Sequence, residues 1–135
     1  MILKSTILLV DDEHDNNSIF TIGLEDARFE VDAYNDPELA LSAFKPDYYD
    51  LLILDIKMPK MDGYELYKKL KKIDDKVNVC FLTASERYKE EHRPSFLSSS
   101  FTSFVIKPIT VDDLVKKVNE LIKQNDNNNN TTSDV

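Results

Sequence analysis

At 135 residues, 41% hydrophobic and 31% charged, the chain is long enough for one domain with one real core and has an ordinary globular composition. Its net charge of −8 disfavours non-specific binding to DNA or to an anionic membrane, and no apolar run approaches the ~20 residues of a membrane span. Two glycines, Gly23 and Gly63, are too few for a glycine-rich phosphate loop, and the single cysteine, Cys80, excludes an internal disulfide and fits a reducing compartment. Met1-Ile2-Leu3-Lys4 leads straight into a strand, without the basic segment and long apolar run of a signal peptide.

Thr6 to Val10 reads as a first strand, apolar on both faces, ending in Asp11-Asp12-Glu13. Ile19, Phe20, Ile22, Leu24 and Ala27 are spaced for one face of a helix from about Asn16 to Ala27. Phe29 to Tyr34 alternates, with Phe29, Val31 and Ala33 on a dry side and Glu30, Asp32 and Tyr34 on a wet one, as near a sheet edge. Asp36-Pro37 starts a helix to about Phe44, with Leu39, Leu41, Ala43 and Phe44 as its apolar set. Leu51 to Leu54 is a buried strand ending in Asp55, followed by the turn chemistry of Met58-Pro59 and Asp62-Gly63. A helix from Tyr64 to Ile73 buries Leu66, Leu70 and Ile73, and its four lysines read as solvated surface.

Val77 to Leu82 is the fourth strand, ending in Thr83, with Cys80 as an inert core residue. Glu86 to His92 starts a short helix that Pro94 interrupts, and Ser98-Ser99-Ser100 reads as loop. His14 and His92 read as exposed helix residues rather than metal ligands. A fifth strand, Ser103 to Ile106, ends in Lys107-Pro108. Thr110 then caps a last helix whose stripe is Leu114, Val115, Val118, Leu121 and Ile122. From residue 124 to 135 an Asn-rich stretch offers nothing to bury and reads as a disordered tail after a domain of residues 1–123.

Strands and helices thus alternate five times. This predicts an α/β fold: a doubly wound (βα)5 three-layer sandwich with a parallel five-stranded sheet, flavodoxin-like in its order 2-1-3-4-5. In that order the first and third strands are neighbours, so Asp11, Asp12 and Asp55 converge at the carboxyl edge of the sheet. Thr83 and Lys107 stand at the next two strand ends. Carboxylates of this kind suit Mg²⁺, and a hydroxyl and an ammonium beside them suit a transferred phosphoryl group.

The stretches Ile7-Leu8-Leu9-Val10-Asp11-Asp12-Glu13, Leu54-Asp55-Ile56-Lys57-Met58-Pro59-Lys60-Met61-Asp62-Gly63, Leu82-Thr83-Ala84 and Phe104-Val105-Ile106-Lys107-Pro108 together resemble the response regulator receiver domain of two-component signalling. The resemblance covers roughly Lys4 to Lys123. It implies that Asp55 accepts phosphate from the phosphohistidine of a histidine kinase or a phosphotransfer protein. It makes Asp12 a direct ligand of Mg²⁺ (or Mn²⁺ in its place), Asp11 a ligand mainly through water, and Asp55 and the Lys57 backbone carbonyl further ligands. Thr83 and Lys107 would hold the phosphoryl group, Lys107-Pro108 would be cis, and Phe104 would be the aromatic switch residue. Lys57 and Ser85 would tune the phosphoryl lifetime.

The readout would be the fourth helix, fifth strand and fifth helix, presented to a downstream protein by a cytoplasmic monomer or weak phosphorylation-dependent dimer. The chain would catalyse only its own phosphorylation and dephosphorylation, without binding nucleic acid directly or entering a membrane. The stretch from Thr83 to Lys107 departs from the family in its lack of glycine and in Pro94, so the shape of the output face stays open. Three other readings compete. A phosphorylation-independent binding module of receiver fold would need a missing acid or lysine. An aspartyl-nucleophile hydrolase would want an acid where Lys57 stands. A flavin carrier would want a Ser/Thr/Gly-rich phosphate loop after the first strand.

Overall fold

The computed structural model describes residues 4–97 and 102–133, with side chains through Gln124. The elements are β1 (Thr6–Val10), α1 (His14–Asp26), β2 (Glu30–Tyr34), α2 (Pro37–Ala43), β3 (Leu51–Asp55), α3 (Gly63–Ile73), β4 (Val79–Thr83), α4 (Glu86–His92), β5 (Thr102–Ile106) and α5 (Val111–Ser133). All four strand pairings are parallel and the order is β2-β1-β3-β4-β5. This is the doubly wound, flavodoxin-like sandwich that the alternation predicts.

The three central strands are buried along their whole length because both faces carry helices. Side chains alternate between two cores with the period of a strand. Leu8, Val10, Leu52, Leu54 and Phe81 face Leu66, Tyr67 and Leu70 of α3. Ile7, Leu9, Leu51, Ile53, Cys80 and Leu82 face Phe20 and Leu24 of α1 and Leu114 and Val118 of α5. The helix starts follow their caps. Asp36 accepts from the Glu38 N–H at 2.9 Å, Asp62 from Glu65 at 2.8 Å and Thr110 from Asp113 at 3.1 Å. α4 ends at His92, two residues before Pro94, as proline restricts its predecessor.

Several expected faces are shifted. In α1 the buried stripe is Asn17, Phe20 and Leu24, while Ile19 and Ile22 are 52% and 61% exposed. The i, i+3, i+7 stripe of this helix is narrow, and the two isoleucines lie outside it. Leu39 of α2 and Ile73 of α3 are likewise exposed; Ala40, Tyr64 and Tyr67 take their places in the core. In β2 the dry and wet sides hold through Val31, which packs beside the buried Phe29 while Glu30 is exposed, but not beyond it. Ala33 is exposed, whereas Tyr34 packs on the core and Asp32 accepts the Tyr49 hydroxyl at 2.7 Å. A loop aromatic covers the face that alternation assigned to water. β4 begins at Val79 rather than Val77, and β5 at Thr102. The helix α5 runs past Gln124 through the Asn-rich stretch for which composition predicts disorder; extending an existing helix needs no new nucleus. The Ser98-Ser99-Ser100 loop and the first three residues lie outside the described residues.

The two turns at the amino edge of the sheet are tied by one buried acid. Asp74 accepts from the N–H of Asp47 at 2.9 Å and of Lys76 at 3.1 Å, and Asp47 itself adopts a φ of 57°. Asp74→Ala would leave both donors without this partner. We expect it to cost about 1–3 kcal/mol, seen as a lower urea midpoint at constant m; an unmoved midpoint would mean that water replaces the carboxylate without loss.

Candidate functional site

Four strand ends build the site. Asp11 and Asp12 follow β1, Asp55 closes β3, Thr83 closes β4 and Lys107 follows β5. Strand order makes their proximity a consequence of topology, since each of these strands is hydrogen-bonded to the next. One carboxylate oxygen from each of Asp11, Asp12 and Asp55 lies within 4.8 Å of the others. The Lys107 ammonium donates to Asp11 Oδ2 at 3.0 Å and stands 3.4 Å from Asp55 Oδ1. Asp12, Asp55, Lys57, Met58, Ala84 and Lys107 line an open cleft of about 510 Å³.

The electrostatics follow from burial. Asp11 is wholly buried and Asp55 is 6% exposed. Burial, then the Asp11 charge, push the Asp55 carboxyl up to about 8, with Asp12 adding and Lys107 opposing. Burial would lower the Lys107 ammonium, but Asp55 and Asp11 outweigh it and raise it. One lysine therefore compensates more than one buried acid, and the cluster lacks positive charge. Mg²⁺ takes hard oxygens at about 2.1 Å and tolerates a few carboxylates with waters. Three repelling carboxylates, Asp12 and Asp55 lining an open cleft and Asp11 buried beside them, fit that demand, and this acidic group is the one set of metal-ligating side chains among the described residues.

Two neighbours hold the acids in place. The buried Asn17 side-chain amide donates to the Asp11 carbonyl at 2.7 Å and to the Tyr34 carbonyl at 3.0 Å, while the Asp11 N–H also donates to Tyr34. Sequence reasoning missed Asn17; its signal is a polar residue on the i, i+3, i+7 stripe of α1. Gly63 donates its N–H to the Ile56 carbonyl at 2.8 Å, drawing the start of α3 against the backbone at the end of β3. A Cβ there would fall inside contact distance of the Asp55 carbonyl oxygen.

The remaining expected residues are placed as follows. The Thr83 hydroxyl stands at its strand end but donates to the Ser85 carbonyl at 3.0 Å. The Ser85 hydroxyl is committed to capping α4, accepting the Tyr88 N–H at 3.0 Å. Lys57 is exposed, lines the cleft and holds its ammonium 5.8 Å from the Tyr88 ring. Lys107-Pro108 is cis. Phe104 is half-buried, with its ring 5.5 Å from that of Phe81. His14 and His92 are exposed and take no part.

The response regulator receiver domain family matches residues 7–119. The sensor protein EvgS of Escherichia coli K12 is 34% identical over 118 residues, 87% of this chain and 10% of that protein. The transcriptional regulatory protein PcoR of Escherichia coli is 29% identical over 118 residues, 87% of this chain and 51% of that one. The chain thus spans from a tenth to about half of these relatives. Among solved structures, the response regulator TrrA of Thermotoga maritima, in complex with Mg²⁺-BeF, is 31% identical with a TM-score of 0.70, covering 87% of this chain and 98% of that one. With a family match across most of its length and the family's sheet order around its acids, the chain belongs to the response regulator receiver domains.

Proposed function

We propose that the chain accepts a phosphoryl group on Asp55 from a histidine kinase or a phosphotransfer protein, in a Mg²⁺-dependent reaction, and thereby switches its α4–β5–α5 face toward a protein partner. The observation that carries this reading is the convergence of Asp11, Asp12, Asp55 and Lys107 at one open cleft, which Asp12, Asp55 and Lys107 line with Asp11 buried beside them. Asp11, Asp12, Asp55 and the Lys57 carbonyl would hold Mg²⁺, which would supply charge neutralisation between the acids and the phosphoryl oxygens. Mn²⁺, with similar ligand preferences, would serve in its place.

Asp55 acts in its ionised form. One Asp55 carboxylate oxygen attacks phosphorus and forms an O–P bond, while the N–P bond of the phosphohistidine breaks and its electron pair leaves on the imidazole. Lys107 exchanges part of its pairing with the acids for a phosphoryl oxygen. Thr83 turns its hydroxyl from the Ser85 carbonyl to another oxygen. Phe104 follows Thr83, and the α4–β5–α5 face changes with it. Lys57, at the lip of the cleft, screens the acyl phosphate from water and sets its lifetime, and Ser85 acts through the backbone to which Thr83 is tied. The chain turns over no separate substrate. The domain ends near residue 123, where the apolar stripe of α5 ends. It works as a cytoplasmic monomer or weak phosphorylation-dependent dimer, with no direct role for nucleic acid. Among the described residues no helix is long and apolar enough to cross a membrane.

The test is intact mass after incubation with Mg²⁺ and acetyl phosphate. Wild type is expected to gain one phosphate, in a reaction that needs the metal, and Asp55→Asn to gain none. An unphosphorylated wild type, with a kinase donor also failing, would replace this reading with that of a phosphorylation-independent binding module.

A further inference from the structure

α4 is the most weakly seated element around the site. None of its residues is buried, and only Tyr88 reaches the apolar core, half-exposed. Polar contacts hold the rest. At the N-terminus, the Ser85 carbonyl accepts the Thr83 hydroxyl at 3.0 Å. In the middle, the Tyr64 hydroxyl of α3 donates to the Lys89 carbonyl at 3.0 Å. Toward the sheet, the Lys89 ammonium stands 4.5 Å from the centre of the Phe104 ring, and the Arg93 guanidinium, just after the helix, 5.3 Å from it. The Lys89 side chain is only 16% exposed, and Glu86 and Glu90 stand at 3.2 and 3.6 Å from its ammonium. A cation this far out of water interacts with a ring face more strongly than an exposed one.

These contacts are coupled to Asp55 through one hydroxyl. Thr83 has a single O–H to donate, and here it goes to Ser85. Donation to a phosphoryl oxygen on Asp55 requires that it leave the Ser85 carbonyl, which frees the N-terminal tie of α4. The remaining ties, Lys89 and Arg93 over Phe104 and Tyr64 on Lys89, favour the arrangement in which Thr83 stays with Ser85. We infer that Lys89, helped by Arg93, is a brake on phosphorylation: its cation over the Phe104 ring seats α4 in the resting position and lowers the population in which Thr83 can serve the phosphoryl group. Lys89 touches no reacting atom and acts as a positioning residue. The inference rests on Asp55 being the acceptor.

The full chain is compared as wild type, Lys89→Met and Lys89→Arg. Methionine keeps the length of the stem without the charge, and arginine keeps the cation. Two quantities are measured: the initial rate of phosphate gain from acetyl phosphate with Mg²⁺, by intact mass, and amide deuterium uptake in residues 86–93 without donor. Loss of the contact is expected to raise the phosphorylation rate of Lys89→Met about three- to tenfold, the range of a partly desolvated cation–π pair acting on a two-state equilibrium. Uptake in α4 should rise in parallel, and Lys89→Arg should return both to near wild type. A Lys89→Met rate at or below wild type overturns the brake, as does an equal gain in Lys89→Arg. Should no variant take phosphate, the acceptor reading fails, and uptake in α4 still judges the clamp: unchanged exchange in Lys89→Met removes it.

Discussion

Gly63→Ala is expected to be among the most damaging single-methyl additions in this domain. Gly63 is the first residue of α3, and its φ is not positive, so space and not backbone freedom demands a glycine. An added Cβ would collide with the carbonyl oxygen of Asp55 and stand 3.0 Å from the Ile56 Cα, both backbone atoms. Neither side can yield cheaply. The Gly63 N–H is bonded to the Ile56 carbonyl, and the Ile56 N–H to the Leu82 carbonyl of β4. The loss should be at least the 1–3 kcal/mol of ordinary overpacking, and about 3 kcal/mol would lower the melting temperature by roughly 10 °C in a chain of this size. Because the collision falls on the backbone of Asp55, the proposed acceptor, the protein that remains folded should also take phosphate more slowly.

Gly23→Ala is the matching control. The clash there is with a methyl of the Val111 side chain and not with backbone, and alanine's better helix propensity inside α1 offsets part of its cost. We expect a loss within about 1 kcal/mol, below the overpacking range. Thermal melts of the two variants side by side check the comparison; similar losses would mean that the strand-end backbone is more compliant than its hydrogen bonds imply.

The metal-free protein is expected to lose stability as pH rises from about 4 to about 8, and Mg²⁺ to restore it. The folded Asp55 carboxyl is raised to about 8 from an ordinary carboxylate value, first by burial and then by Asp11. Between those two values the folded state binds a proton that the unfolded state has released. The stability slope with pH is therefore negative across that window and flat above it. The raised Lys107 ammonium has a linkage of the same sign, but its contribution is lost only above its ordinary value of 10.5, outside this range. A divalent cation binds the ionised acids, so its binding displaces the Asp55 proton and strengthens with pH. At a free Mg²⁺ one hundred times the dissociation constant, the stabilisation is about 2.7 kcal/mol, or roughly 5–10 °C. The gain at a fixed Mg²⁺ concentration should be larger at pH 8 than at pH 6. Melts with EDTA and with Mg²⁺ across pH 5 to 9 read both effects. A Mg²⁺ gain independent of pH would place the ion away from Asp55.

The architecture and the acids were legible in the chain because they rest on local, repeated signals. Leu51 to Leu54 reads as a strand buried on both faces wherever it is placed, and an acid at its end can only sit at the sheet edge. Five strands separated by helices leave few topologies, and the parallel right-handed one brings Asp11, Asp12 and Asp55 together. Caps at Asp36 and Thr110 act within three residues, so the sequence contains both partners. The helix faces were less legible. Ile19, Ile22, Leu39 and Ile73 are apolar and near the stripe, and hydrophobicity alone does not say which side of a 100° offset meets the sheet.

What only the tertiary structure decided are pairings between residues far apart in the chain. Lys107 meets Asp11 across 96 positions, Tyr49 covers the side of β2 that alternation gave to water, and Asn17 grips the Asp11 backbone from a helix stripe that looked merely polar at one position. The commitment of the Thr83 and Ser85 hydroxyls, and the two cations over Phe104, depend on how a helix with no buried residue settles on the sheet. Local propensity and hydrophobic period carry no term for such contacts. The chain by itself determined the sheet, its order and the residue types at its carboxyl edge. Packing determined which groups are already engaged there, and so which must let go when the site is used.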